Sequence, residues 1–268
     1  MELSALLASE IVLPSIPRVI ALLLSEFMHD DPDLKNISQL ISTDPALTTR
    51  LLQKANSSEF MLEGKVGSVS EALAILALAH IRDMATSAAT AASLKAVPGI
   101  HLQKFWAYSL DVAKISRSLA GVIKQNQGMA FTCGLIHAIG ELIMHIGMPV
   151  EMAELNKEEP ALDLKRNRAE YRIFGYCYAQ VGAGFARNWQ FPSTIVDALQ
   201  HQCEPFENNA YEPMAGIIHL AAWRARAKEA KLAERELTVS FPAEVGEVLK
   251  LDIDMVLQQD PIHWPRRA

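Results

Sequence analysis

An all-α fold is predicted, on three observations. Apolar residues recur at helical spacing along the whole chain, and alternating runs of β-branched residues are nearly absent. Half of the 268 residues are hydrophobic and 21% are charged, which leaves ample apolar chain for a substantial core.

In chain order, Leu13-Pro14 and Ile16-Pro17 open the fold. Pro17 suits the first turn of a helix that carries Val19, Leu22, Leu23 and Phe27 inward. The segment from His29 to Pro32 ends it, and a second short helix after Asn36 buries Ile37, Leu40 and Ile41. Asp44 is placed to cap a third helix, with Pro45 after it and Leu47, Leu51, Leu52 and Ala55 as its core stripe. Asn56, Ser57 and Ser58 stop that helix, because their side chains compete for backbone hydrogen bonds. Ser68 and Glu71 have capping-box spacing for a helix over 71–79. The stretch 83–96, rich in Ala, Ser and Thr, is predicted to be a packed central helix, and Val97-Pro98-Gly99 marks the boundary between two helical halves.

The second half opens at Phe105-Trp106, continues as a helix to about Val122 and turns at Gln127-Gly128. Phe131 to His145 is predicted to be one buried helix, with His137, Glu141 and His145 on a single face, closed by Gly147 and Pro149. Residues 150–173 follow as amphipathic helices with their charges toward solvent. Helices are then expected over 177–189, 193–202, 211–236 and 252–259.

The bulk properties narrow the function classes. A net charge of −6, from 25 basic and 31 acidic residues, works against a broad nucleic-acid footprint. The basic residues 165–168, and Arg224, Arg226, Lys228 and Lys231, alternate with Glu or Ala and are expected on solvated helix faces. Cys133, Cys177 and Cys203 are far apart with no CxxC spacing, as suits a reducing compartment. Glu2 and Glu10 without a basic flank do not resemble a secretory signal. The longest clean apolar run is Ala72 to Ala79, well short of the roughly 20 residues a span needs. The expectation is a soluble, cytoplasmic protein.

The stripe of His137, Glu141 and His145 could be metal-ligating, or simply three core residues sharing a face. His201 and Cys203, at i and i+2, point apart on a helix and do not make a nucleophile pair. Asp44 and Asn56 are accounted for as a cap and a helix stop. Phe105, Trp106 and Trp189 are accounted for as aromatic core anchors.

Four segments in order carry a family resemblance. They are 44–52 with Ala55, Asn56 and Ser57; the helix over 70–83; Phe105-Trp106 with Ser109; and Phe174-Gly175 through Val181-Gly182 to Trp189 and Pro192. Over about residues 11–225 the chain resembles the HDOD proteins, bacterial signalling proteins named for an HD-related output domain. The resemblance implies two helical lobes, the second similar to the HD phosphohydrolase superfamily. The expected division is an N-terminal lobe over 1–98, an HD-like lobe over 99–235 and a helical tail over 236–268.

Active members of that superfamily hold divalent metals through histidines, a His-Asp pair and a late aspartate, which activate water on a phosphate. Carried over, the first histidine position holds Tyr108 and the pair reads His137-Ala138. The next histidine position is Tyr178, the later pair is His201-Gln202, and the late aspartate is Ala222. Two neutral imidazoles without a carboxylate would hold a catalytic divalent ion poorly. The resemblance therefore implies a non-catalytic module with no cofactor. It would bind a signalling partner or a small ligand across the cleft between its lobes, with Tyr108, His137, Glu141, Tyr178 and His201 as a vestigial pocket. Two alternatives stay open: a metal-dependent phosphohydrolase using Glu141, His145 or His219 as atypical ligands, and a nucleic-acid-binding regulator.

Overall fold

The computed structural model describes residues 1–91, 96–163, 166–206 and 211–258. All regular structure among them is helical, apart from an isolated bridge between Val97 and Ile100. The buried apolar residues of both halves join into one continuous core.

The chain starts with α1 (Leu3–Leu7), which lies against the second half of the molecule: Tyr176 Oη donates to Met1 O at 2.9 Å, and Asn188 donates to Leu7 O at 3.2 Å. The first half is built from α2 (Pro17–Glu26), α3 (Leu34–Ile41), α4 (Pro45–Ala55), α5 (Val69–Ile75) and α6 (Leu78–Ala91). Helix α2 buries Val19, Ile20 and Leu23; Leu22, expected inward, is 46% exposed because Ile20 takes its place in the stripe. Asp44 caps α4 by accepting from Ala46 N at 2.8 Å and Leu47 N at 3.0 Å. It also accepts from Ile16 N at 2.6 Å, tying a distant segment to the cap. Arg50 reinforces that tie by donating to Ser15 Oγ and Leu13 O. Burial pushes the Asp44 carboxyl up to about 6, against the three N–H donors and Arg50. Asn56 does more than stop α4. It is buried and bonds Leu52 O, Val66 O, Lys65 N and Val66 N, locking the following loop.

The helix expected over 71–79 is broken. Leu76 adopts an extended conformation, ending α5 and letting α6 start afresh at Leu78. Helix α6 is not central: Ile81, Ala85 and Ala88 are buried while Thr86, Ser87 and Thr90 face outward. The expected continuation over 92–95 lies outside the described residues.

The second half comprises α7 (Leu102–Val122), α8 (Gln127–Ile136), α9 (Ile139–Gly147), α10 (Pro149–Glu158), α11 (Arg166–Phe174), α12 (Tyr178–Asn188), α13 (Ser193–His201) and α14 (Pro213–Glu229). The turn expected at Gln127-Gly128 falls earlier. Lys124 has φ of 59°, and Asn126 caps α8 by accepting from Met129 N at 3.0 Å.

The long helix expected to Glu236 stops at Glu229, followed by Lys231 in the left-handed region. The tail then folds into α15 (Glu234–Ser240), α16 (Ala243–Leu249) and α17 (Ile253–Gln258), of which the sequence indicated only the last. Helix α16 packs on α14 through Leu249 against Gly216. One stretch among the described residues, Gln127–Gly147, is long and apolar enough to cross a membrane, contrary to the expectation that none would be. However, 83% of its apolar window is buried inside the protein, and it is two helices rather than one.

Candidate functional site

The predicted single helix over 131–145 breaks at its first histidine. His137 ends α8 and Ala138, with φ of −96° and ψ of 11°, turns the chain into α9. The i, i+4, i+8 stripe therefore does not form: His137 points to one cluster, and Glu141 with His145 to another. At the break α9 meets α12 closely. A Cβ on Gly140 would fall on the Tyr178 carbonyl oxygen and within 2.7 Å of Gly182 N, so only glycine fits.

The first cluster forms around Arg226. Tyr108 from α7 packs edge-on to His137 with ring centroids 5.0 Å apart, and the Arg226 guanidinium lies 5.5 Å from the Tyr108 ring centroid. His137 Nδ1 donates to Gly134 O at 2.7 Å, which fixes the tautomer, while its buried Nε2 has no partner. Burial pulls the His137 pKa down to about 3, the Gly134 carbonyl opposes the shift, and Arg226 adds to it. Tyr178 begins α12 and accepts from Cys203 Sγ at 3.4 Å. Gln202 donates to His137 O at 2.9 Å, and His219 Nδ1 donates to Gln202 O at 2.8 Å. Burial raises both phenol pKa values, so Tyr108 and Tyr178 stay neutral. Burial disfavours the Arg226 charge, but a guanidinium is so basic that it stays protonated, and the face of the neutral Tyr108 ring favours the cation.

The second cluster is a buried ion network. Arg166 Nε lies 3.1 Å from both Glu141 Oε1 and Glu170 Oε1, and its guanidinium also donates to Glu159 O. Arg166 and Glu170 are wholly buried and Glu141 nearly so. Burial, then the Glu141 carboxylate beside it, push the Glu170 carboxyl well above the ordinary range. With Glu170 holding its proton, one guanidinium faces one carboxylate, so the cluster is close to neutral. Glu170 Oε2 also accepts from Tyr178 N at 2.8 Å, so the network sets where α12 begins and hence where the Tyr178 ring stands. His145 joins as a neutral group: Nδ1 donates to Glu141 O at 2.9 Å, Nε2 accepts from Asn156 at 3.2 Å, and burial lowers its pKa.

Of the expected pocket, Tyr108, His137 and Tyr178 come together. Glu141 turns to Arg166. His201 stays half-buried at the end of α13, and its neighbour Gln202 lines the cavity instead. Ala222 sits in the cavity wall one turn before Arg226. Trp106 is half-buried against the core, and Trp189 packs at a tilt between Phe185 and Phe191, with ring centroids 5.3 and 5.8 Å away.

A divalent metal does not fit these residues. Ala138 and Ala222 offer no donor, the two phenols are neutral, and the Arg226 guanidinium already brings a positive charge beside Tyr108, Tyr178 and Ala222. Among the described residues, no three His, Cys, Asp or Glu side chains converge to hold a metal ion. The atypical ligands proposed for a phosphohydrolase are also engaged elsewhere: Glu141 and His145 in the ion network, and His219 on Gln202 O.

A family model, the HDOD domain, matches residues 13–205. The chain belongs to the HDOD family. Its fold is shared with the MmoQ response regulator of Methylococcus capsulatus str. Bath, with TM-score 0.74, 23% identity, and 93% of this chain and 98% of that one covered. A virulence factor of Campylobacter jejuni subsp. jejuni matches with TM-score 0.73 at 18% identity over 97% and 94% of the two chains. A Shewanella amazonensis SB2B protein, provisionally named a phosphohydrolase, matches with TM-score 0.55 at 29% identity over 94% and 91%. An uncharacterised protein of Treponema pallidum (strain Nichols) is 23% identical over 212 residues, or 78% of this chain; the chain spans only 41% of that relative's length. Helix α14, with Ala222 and Arg226, and the tail both lie beyond the part matched by the HDOD model.

Arg166, Glu170 and Arg226 escaped sequence reasoning, which placed Arg166 and Arg226 on solvated faces. Two signals could have found them. Arg166 and Glu170 are spaced i, i+4. Helix α14 is apolar nearly all round from Met214 to Ala227, so a basic residue within it must be at least partly enclosed.

Proposed function

We propose that this HDOD chain is a non-catalytic regulatory output module that acts by binding rather than by turnover. The observation that carries this is the protonated Arg226 guanidinium packed on Tyr108, in a pocket that in active HD enzymes would hold metal cations. Two like charges cannot share that space, and among the described residues no carboxylate lines it to neutralise a metal.

Recognition would use the cleft between the halves. A groove of about 540 Å³ there is lined by Ser38, Ser42 and Ser70 from the first half and by Lys114, Arg117 and Phe131 from the second. The response regulator among its structural neighbours is in keeping with a signalling role. The free thiols of Cys133, Cys177 and Cys203 are in keeping with a reducing cytoplasm. A nucleic-acid role has little support, because Arg166 and Arg224, two of the basic residues that would form its face, are buried.

The test combines metal analysis of the purified protein with phosphodiesterase assays on cyclic dinucleotides, with and without added manganese. Blank assays and no stoichiometric metal are expected. Turnover that disappears in His137→Ala would overturn the proposal.

A further inference from the structure

Helices α11 to α14 and the tail enclose a cavity of about 320 Å³, the size of a small-molecule site. Its charged lining residues are Arg168 and Arg226. Asn167, Tyr178, Gln202 and His219 supply polar groups, and among the described residues no Asp or Glu lines it. In a chain with 31 acidic residues against 25 basic ones, a pocket with two guanidinium groups and no carboxylate is chemically one-sided.

The contrast with Arg166 shows what is missing. Arg166 is buried between Glu141 and Glu170 and is compensated within the protein. Among the described residues no carboxylate lies within ion-pairing distance of Arg226 or Arg168, and the buried Nε of Arg226 has no hydrogen-bond partner. A buried donor of that kind is costly unless something accepts from it. Tyr178 adds a second donor. Its oxygen accepts from Cys203, and its own proton has no acceptor among the described residues.

The tail completes the wall with Ser240 and Pro242. Ser240 is fixed there: its Oγ accepts from Trp223 Nε1 at 3.2 Å and donates to Glu236 O at 2.7 Å. Phe241 packs edge-on against the Trp223 ring at 5.3 Å. The helix bearing Arg226 and this closing wall both lie beyond residues 13–205, the part matched by the HDOD model.

On the reading that Arg226, and not a metal, is the cation of the second half, we propose that this cavity binds a dianionic oxyanion of the phosphate-monoester class. Arg226 holds it at depth, Arg168 holds it at the mouth, and Tyr178 donates a neutral hydrogen bond.

Isothermal titration of the full chain with inorganic phosphate in EDTA tests this, with acetate and chloride at equal ionic strength as comparators. Saturable one-to-one phosphate binding is expected, with acetate weaker and chloride without effect. Arg226→Met should weaken phosphate binding at least about tenfold, the scale of one charge-assisted hydrogen bond. Arg168→Gln should weaken it several-fold. Arg168 is exposed, so that variant stands in if Arg226→Met does not fold. Phosphate binding no stronger than chloride, or unchanged in Arg168→Gln, would overturn this site while leaving the non-catalytic reading intact. Binding that needs a divalent ion and is lost in EDTA would overturn both.

Discussion

Replacing Arg166 by Met tests the buried network most directly. Arg166 Nε lies 3.1 Å from oxygens of both Glu141 and Glu170, and all three side chains are out of solvent. At that distance the Arg166–Glu141 ion pair is worth about 5 kcal/mol at an effective dielectric constant of roughly 20, before the opposing desolvation is counted. Methionine matches the volume but strands Glu141 and Glu170 and frees the Glu159 carbonyl. Breaking a buried pair from one side costs about 3–5 kcal/mol, or a fall in Tm of roughly 6–20 °C for a chain of this size. The sign with pH is fixed: the one stranded charge is relieved by taking a proton, so the loss should be larger at pH 8 than at pH 5. Urea unfolding followed by circular dichroism at both pH values gives the two numbers. Adding Glu141→Gln should recover most of the loss by removing the unpaired charge. A loss under about 1 kcal/mol, or the same loss at both pH values, would refute the assignment of these residues as one coupled cluster.

Two further outcomes follow from the site. Gly140→Ala should cost about 3 kcal/mol or more, because its Cβ meets the backbone of α12, which cannot move aside like a side chain. Gly182→Ala, whose nearest neighbour is at 3.5 Å, should be neutral or gain up to about 1 kcal/mol of helix propensity; equal effects of the two changes in a thermal melt would contradict the close crossing at Gly140. His137, held down to about 3 against 6.5 when unfolded, should show no imidazole titration by NMR between pH 4.5 and 8. As its folded value is depressed, it removes about 1.4 kcal/mol of stability per pH unit as pH falls from 6.5 toward 3. A His137 midpoint near 6 would mean the ring is solvated.

The sequence was most legible where structure is local. Asp44 and Pro45 mark the start of α4 because cap and first turn are adjacent residues. Asn126, three residues before Met129, satisfies the same local rule and caps α8 just ahead of the Gln127-Gly128 pair that the sequence suggests as the turn. Where the rule was helical periodicity alone, it did not locate where helices break. Nothing in the apolar pattern shows the break at Leu76 or at His137-Ala138, since both flanks of each break are equally apolar.

The sequence by itself determined that this chain is helical, that it is built on the HDOD pattern, and that the metal-ligand positions now hold Tyr108, Ala138, Tyr178 and Ala222. These are statements about which residue occupies which position, and neighbouring residues suffice to make them. Only the tertiary structure decided that Arg166 is locked between Glu141 and Glu170, and that Arg226 packs on Tyr108 with no carboxylate beside it among the described residues. A charged side chain on a helix looks the same in sequence whether it faces water or core. Its partners come from helices dozens of residues away, and packing alone determines which of them it meets.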